Sequence, residues 1–199
     1  MEGMDVINKG FLLVLMHAPP AFEEEFNAWY DTEHLPERLA VPGFESARRF
    51  VCLSGHPRYL AMYDLARFEV LDSPEYLKVA FGNSSPWTLR VMQHVRVYRA
   101  AGRQIYPGTA VTGAASRVQL LRFRNRAASA GEALIRGMRS NFEGRPETAQ
   151  VRVLAFEDGG TTDFLGFVEQ RTPETVTLDL KAFGPHADAI DLVNTYAPY

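Results

Sequence analysis

The order of strand-like and helix-like segments constrains the fold of this chain most strongly. "GFLLVLM" (10–16) is a short apolar run typical of a strand buried on both faces. A helix follows in "PPAFEEEFNAWYDTEH", and then come strands at 44–53 and 58–68, a short helix at 73–81 and a strand at 90–100. The first half therefore has the order β-α-β-β-α-β, the split unit of ferredoxin-like folds.

A similar order recurs after a stretch rich in small residues. A strand at 117–125 precedes a helix at 127–142, and a hairpin and a weaker helix come before a last short strand. The sequence thus predicts an α+β protein made of two ferredoxin-like βαββαβ repeats, packed sheet to sheet as an α/β barrel. The predicted parts are 1–102, which carries "WYDTEH", a linker at 103–114, and a degenerate second repeat at 115–199. One larger, irregular α+β domain is the alternative.

Apolar residues on both faces of the predicted strands require that each sheet be covered on both sides. Helices cover one face of a βαββαβ unit, and the sheet of the other repeat covers the second face within one chain. A second copy of the chain could cover what remains, so a homodimer is a further expectation.

Composition excludes several classes of partner. A net charge of −3 and a pI near 6.0 over 199 residues give no electrostatic reason to expect nucleic-acid binding. No apolar run reaches the roughly 18–20 residues of a membrane span, and the amino terminus lacks the pattern of a signal peptide. Cys52 is the only cysteine, which excludes an internal disulfide and favours a reducing compartment. We therefore expect a cytoplasmic protein with a small-molecule ligand.

The stretch "FNAWYDTEHLPER" (26–38) contains the densest group of reactive side chains. Because Leu35 precedes Pro36, the main helix is predicted to end near His34, and "PERLA" (36–40) can add one further turn. His34 then lies between the core side, with Trp29 and Tyr30, and the polar side of the helix. The negative end of the helix dipole would raise the pKa of His34 and burial would lower it, so its protonation state stays open.

The topology predicts which residues lie near His34. Phe44, Ser46, Arg48 and Phe50 alternate onto one face of the next strand. In a βαββαβ unit the start of that strand and the end of the third strand lie near the end of the first helix. The third strand ends in Tyr63 and Asp64, either of which could orient the imidazole as part of an acid–base pair.

The segment "FNAWYDTEHLPERLAVPGF" and the alternating strand after it resemble the helix-to-strand motif of EthD-like proteins in the dimeric α/β-barrel superfamily. The resemblance is specific over residues 22–68 and only topological over 115–199. It implies a pocket between helices and sheet that the histidine of the "EH" pair faces. The second repeat has no matching histidine, tryptophan or tyrosine in "AGEALIRGMRSNFEG", so we expect one site per chain.

The superfamily includes cofactor-free monooxygenases, cyclases, isomerases, dehydratases and haem-using branches. The sequence lacks a zinc-ligand spacing and a phosphate-binding loop, so we expect no metal and no cofactor. We predict a cofactor-free enzyme that moves a proton alpha to a carbonyl in a small aromatic or polyketide-like molecule. The predicted catalytic residues are His34, Asp64 and Tyr63, and the predicted substrate-binding residues are Asn27, Tyr30, Arg38 and Arg48. A non-catalytic binding or accessory protein with the same pocket is the alternative.

A second cluster is conceivable at the other end of the sheet. His17 closes the first strand, and His94 falls early in the predicted fourth strand, beside it. With Tyr59 they could transfer protons or bind a metal, although isolated strand histidines usually have structural roles.

Overall fold

The eight strands close into one antiparallel barrel. The computed structural model describes residues 8–174 and 176–199, and its strand order is β1-β3-β2-β8-β5-β7-β6-β4, with β4 closing on β1. The strands are β1 (Gly10–His17), β2 (Phe44–Cys52), β3 (Tyr59–Leu65), β4 (Arg96–Tyr106), β5 (Arg117–Arg126), β6 (Thr148–Asp158), β7 (Thr161–Gln170) and β8 (Ile190–Pro198).

The helices pack on the outside of the barrel, in the two positions per half that the sequence predicts. They are α1 (Glu23–Trp29), α2 (Leu35–Leu39), α3 (Pro74–Leu77), α4 (Pro86–His94) and α5 (Gly131–Phe142). A π turn (Tyr30–His34) joins α1 to α2, and the last helical position is a kinked 3-10 segment, Leu180–Ala189. Shorter 3-10 turns lie at Pro20–Phe22, Phe68–Asp72, Phe81–Asn83 and Ala128–Ala130. Across the described part of the chain, none of these helices has the length and apolarity to cross a membrane.

Strand β1 shows why the strands need apolar residues on both faces. Phe11, Leu13 and Leu15 point into the barrel interior, whereas Leu12 and Met16 pack toward the helices of the first half. The prediction that this strand is buried on both faces is confirmed. A third apolar cluster lies under α5 and Leu180–Ala189.

The predicted strand at 90–100 is wrong in its first part. Ser85 accepts a hydrogen bond from the backbone N–H of Thr88 at 3.0 Å, and Pro86 occupies the first helical position. These are strong helix-start signals, and they produce α4 before β4 begins at Arg96. Strand β4 then runs through Tyr106, into the stretch where the linker was predicted.

Candidate functional site

Helix α1 continues into α2 through the π turn. The backbone N–H of Leu35 donates to the carbonyl of Tyr30, five residues earlier, and the helix runs on to Leu39. The predicted end of the main helix near His34 is therefore wrong, whereas the further turn predicted in "PERLA" is present as α2. A π turn is wider than an α turn, so it gives room to the ring of Pro36, which also lacks an N–H.

Tyr30, His34 and Arg38 line a cavity between this helix and the outer face of the sheet. Its volume is about 260 Å³. Mostly apolar walls with a few polar groups are typical of small-molecule sites, and the position is the one that the EthD-like resemblance implies. The remaining walls come from α1, β1, β3, β4 and the segment from α3 to α4: Leu12, Val14, Met16, Trp29, Tyr63, Tyr76, Ala80, Ser84, Thr88, Leu89, Met92, Val97 and Arg99.

His34 is neutral at pH 7. Its side chain is half-buried, and its Nδ1 atom is buried with no hydrogen-bond partner among the described residues. The ring centroid lies 4.4 Å from that of Trp29 and 5.0 Å from that of Tyr30. Burial, together with the positive charges of Arg38 and Arg49, lowers the pKa of His34 to about 3. Of the two opposing effects expected from the sequence, burial is therefore the stronger.

Two buried phenols face each other beside this histidine. The hydroxyl oxygens of Tyr30 and Tyr63 are 2.7 Å apart, and either can be the donor. Burial raises the pKa of Tyr30 to about 12 and that of Tyr63 well above its usual value, so both stay protonated. Two protonated phenols share one hydrogen bond between them, which leaves the second O–H proton for another acceptor. The pair therefore keeps one O–H proton that the hydrogen bond between the two tyrosines does not use.

Arg38 brings a buried positive charge to the cavity wall. It is 5% exposed, and its guanidinium donates to the carbonyl of Val79 at 2.7 Å and lies over the ring of Tyr76. Arg38 follows His34 by four residues, which puts both on the same side of the helix. The predicted placement of Arg38 beside His34 agrees with the structure.

Arg49 is a second buried cation that the sequence did not single out. It pairs with Asp31 and donates to Asn27 at 2.5 Å. Its guanidinium lies between the rings of Tyr30 and Tyr199, 4.3 Å and 4.0 Å from their centroids. Asn27 in turn donates to the hydroxyl of another tyrosine, outside the lining of the cavity. Asn27 therefore helps to hold Arg49 in place and is not among the residues that line the cavity.

Arg48 does not lie at the cavity, and a β-bulge explains why. The register of β2 against β3 shifts between Phe44 and Ser46, so residues beyond the bulge face opposite to the simple alternation. Phe44 packs with the helices, whereas Phe50 packs in the barrel interior. Arg49 consequently faces the helix, and Arg48 is exposed. The predicted position of Arg48 beside His34 is wrong.

Asp64 also lies away from His34. Neighbouring residues of a strand point to opposite faces, so Tyr63 reaches the cavity while Asp64 lies on the barrel side of β3. There the Asp64 carboxylate accepts hydrogen bonds from Arg152 at 2.6 Å, from the backbone N–H of Thr112 at 2.7 Å and from the hydroxyl of Ser46. The expectation that Asp64 orients the imidazole is wrong, because its oxygens belong to this separate network.

The second histidine cluster does not form as predicted. His94 ends α4 and is not in β4, and its ring stacks on Phe22 at 4.6 Å. His17 instead meets the ring of His56 at 4.5 Å. Within the ranges that the structure describes, no three His, Cys, Asp or Glu side chains are grouped closely enough to hold a metal ion.

The helical layer of the second half is filled by side chains. Phe183, from the 3-10 segment, packs against Gly137 of α5 so closely that a Cβ there would lie 2.4 Å from its ring. Met138 fills the space over Gly166 of β7 in the same way. This dense packing fits the expectation that any site lies in the first half.

No protein-family model and no curated protein sequence matches the chain. Solved structures match its fold over nearly the whole length. An anthrone oxidase-like protein is 11% identical, with a TM-score of 0.68 over 100% of this chain and 94% of that one. A mutant chlorite dismutase from Candidatus Nitrospira defluvii is 12% identical, with a TM-score of 0.57 over 96% and 91%. The chain shares its α/β-barrel fold with these structures, which agrees with the fold that the resemblance over residues 22–68 implies.

The low pKa of His34 links protein stability to pH. In an unfolded chain a histidine has a pKa of about 6.5, so between that value and about 3 the unfolded state binds more protons. Stability therefore falls as the pH is lowered through this window. His34→Gln removes this linkage, and the loss of unfolding free energy between pH 7 and pH 5 should shrink by about 1–2 kcal/mol. Urea denaturation at both pH values measures the difference.

The control is His94→Gln, which changes an exposed histidine at the end of α4. It should keep the wild-type loss of stability between the two pH values. An equal loss in His34→Gln and in the wild type would show that His34 is not held neutral by the fold.

Proposed function

We propose that this protein is a cofactor-free enzyme that moves a proton alpha to a carbonyl in a small aromatic or polyketide-like metabolite, in an isomerase, lyase or monooxygenase reaction. The observation that carries the proposal is the buried, unpartnered Nδ1 of His34 at the wall of a cavity, next to a phenol pair. Unsatisfied buried polar atoms are rare in proteins, and a ligand in the cavity would supply the missing partner.

Each polar group has one role in this proposal. The neutral imidazole of His34 accepts the proton, because a neutral imidazole has a free nitrogen lone pair. The O–H proton left over in the Tyr30–Tyr63 pair binds the carbonyl oxygen and stabilises the enolate as charge develops there. Tyr63 thus acts on the substrate oxygen and does not orient the imidazole. The charge of Arg38 further stabilises the anion.

The apolar walls suit an aromatic substrate. Leu12, Val14 and Met16 form the floor on β1, and Trp29 and Tyr76 are among the other lining residues. Apolar walls of this kind favour the burial of an aromatic ring. The description of one structural neighbour as anthrone oxidase-like is compatible with an aromatic ketone as substrate.

We further propose that this chain is an EthD-like protein that arose by duplication of a ferredoxin-like unit. The two repeats would be residues 1–102 and 115–199, joined by a linker at 103–114. The strand order supports it, since β4-β1-β3-β2 of the first half corresponds to β8-β5-β7-β6 of the second. A small-molecule ligand, the absence of a nucleic-acid partner, a cytoplasmic location and a homodimer stay predictions.

A binding protein without turnover is the second candidate, and one observation favours it. General bases are usually oriented by a second group, yet no described residue hydrogen-bonds to Nδ1 of His34. In this alternative the imidazole and the phenol pair would hold a ligand oxygen without any proton transfer.

Hydrogen exchange separates the two candidates. The purified protein would be incubated in D₂O with anthrone, 2-tetralone and aryl-substituted 1,3-diketones, and the loss of alpha-proton signals followed by NMR. We expect exchange faster than in buffer at the same pH for at least one ketone. Ketones that bind, by calorimetry, without any accelerated exchange would overturn the enzyme proposal and establish the binding protein.

A further inference from the structure

We infer that the ligand of this cavity is an acid, an aromatic molecule whose carboxylate binds the guanidinium of Arg38 while its ring lies on the apolar wall. The inference rests on the proposed function in that it names the substrate class for the same site. It defines that substrate as an aromatic keto acid.

The charges around the cavity support an anionic ligand. The lining residues include two arginines, Arg38 and Arg99, and neither an aspartate nor a glutamate. Buried charges in proteins are normally paired. Arg38 has no ion pair in the described parts of the chain, and the neighbouring Glu37 is not one of the lining residues. A carboxylate in the cavity would be the missing partner.

The guanidinium of Arg38 has donors to spare. An arginine carries five N–H donors, and the structure gives Arg38 one hydrogen bond, from Nη1 to the carbonyl of Val79. The stacking on Tyr76 fixes the plane of the group and leaves its edge for a ligand. Carboxylates bind such an edge through two parallel hydrogen bonds.

The spacing along the helix sets the size of the acid. His34 and Arg38 are one helical turn apart, which corresponds to about 5–6 Å along the wall. A keto acid that places its carboxylate at Arg38 can therefore present the carbon alpha to its ketone to His34. The bound anion would also oppose the positive charge that helps to keep the pKa of His34 low, so the substrate itself would strengthen the base.

The mouth of the cavity fits the entry of such a ligand. Arg99 is exposed there, beside the exposed apolar side chains of Leu89 and Met92. An exposed positive charge at the rim attracts anions and raises their rate of association. Apolar rim and positive charge together match an aromatic carboxylate better than a neutral or cationic molecule.

Calorimetry with a matched pair of ligands tests the inference. The pair is 2-naphthoate and 2-naphthamide, which have the same ring and nearly the same shape but differ in charge. In the wild type we expect 2-naphthoate to bind at least about 10-fold more tightly. In Arg38→Met, which keeps an unbranched apolar stem but removes the guanidinium, the ratio should fall to about 1. Arg136→Met, at an exposed arginine of α5, should retain the wild-type ratio.

Equal affinity of the two ligands for the wild type would overturn the inference, and this comparison does not depend on the folding of any variant. An unchanged ratio in a folded Arg38→Met would overturn it as well. Neither ligand has a proton that His34 could remove, so the result is independent of turnover. A preference for 2-naphthoate, together with ketones that bind without accelerated exchange, would refute the proposed enzyme and leave the ligand class standing. Accelerated ketone exchange without a preference for 2-naphthoate would refute the ligand class and leave the enzyme standing.

Discussion

Replacing His34 with glutamine is expected to slow alpha-proton exchange of a ketone substrate by at least about 100-fold, since general acid–base catalysis typically contributes 10²–10⁴-fold. Glutamine fills a similar volume and keeps hydrogen-bonding capacity, but its amide does not accept a proton at neutral pH. The binding constant of the ketone, measured by calorimetry, should change far less than the rate. NMR exchange at saturating ketone measures the effect.

A combination of variants distinguishes catalysis from packing. Tyr63→Phe removes one phenol of the buried pair and should reduce the rate while the imidazole remains. His94→Gln should keep the wild-type rate, because His94 lies outside the cavity lining. A folded His34→Gln protein with at least half of the wild-type rate would exclude His34 as the base.

The order of elements in the first half follows from local patterns alone. Apolar runs identify β1 and β3, and a serine followed by a proline marks the start of α3 as well as α4. The strand predicted at 90–100 starts too early, because Ser85 and Pro86 begin a helix that runs to His94. Without α4, the sequence could not place Thr88, which reaches the cavity from that helix. Arg99 reaches it from β4, and the prediction did not assign the face of that strand on which Arg99 lies.

Helical spacing predicts the part of the site that lies on one helix. Tyr30, His34 and Arg38 follow each other at four-residue intervals, and the π turn does not remove them from a common wall. Residues from the strands are harder to place, since one bulge exchanges Arg48 for Arg49. No local pattern of residues reveals a bulge that depends on pairing with β3.

Predictions of charge pairing fail for a related reason. Asp64 and Tyr63 are equally close to His34 in the predicted topology, and only the face of the strand separates them. The partner of Asp64 is Arg152, 88 residues away along the chain. Contacts over such a separation depend on how the two halves close the barrel, which cannot be read from either half alone.

Replacing Arg152 with methionine is expected to lower the free energy of unfolding by about 3–5 kcal/mol, which is the usual cost of removing one partner from a buried ion pair. Arg152 is fully buried and binds Asp64 at 2.6 Å and Glu169 at 3.2 Å, and both carboxylates are buried too. It also donates to Thr112 at 2.7 Å. The change would leave two carboxylates without their cation, in a network that joins β3 of the first half to β6 and β7 of the second.

Urea denaturation of Arg152→Met and of Arg136→Met, the exposed control, measures this cost. The loss of stability in Arg152→Met is expected to come from the two unpaired carboxylates. Adding Asp64→Asn and Glu169→Gln to Arg152→Met should then restore a large part of the lost stability, because neutral amides need no counter-charge. In the wild type, Arg152 pairs with the two carboxylates across the barrel. The triple variant keeps side chains of similar size at these three positions but carries none of the three charges. If Arg152→Met lowered the free energy of unfolding by less than about 1 kcal/mol, the cost of desolvating the charges of this network would cancel the attraction between them. In that case the closure of the barrel would depend on its apolar interior alone.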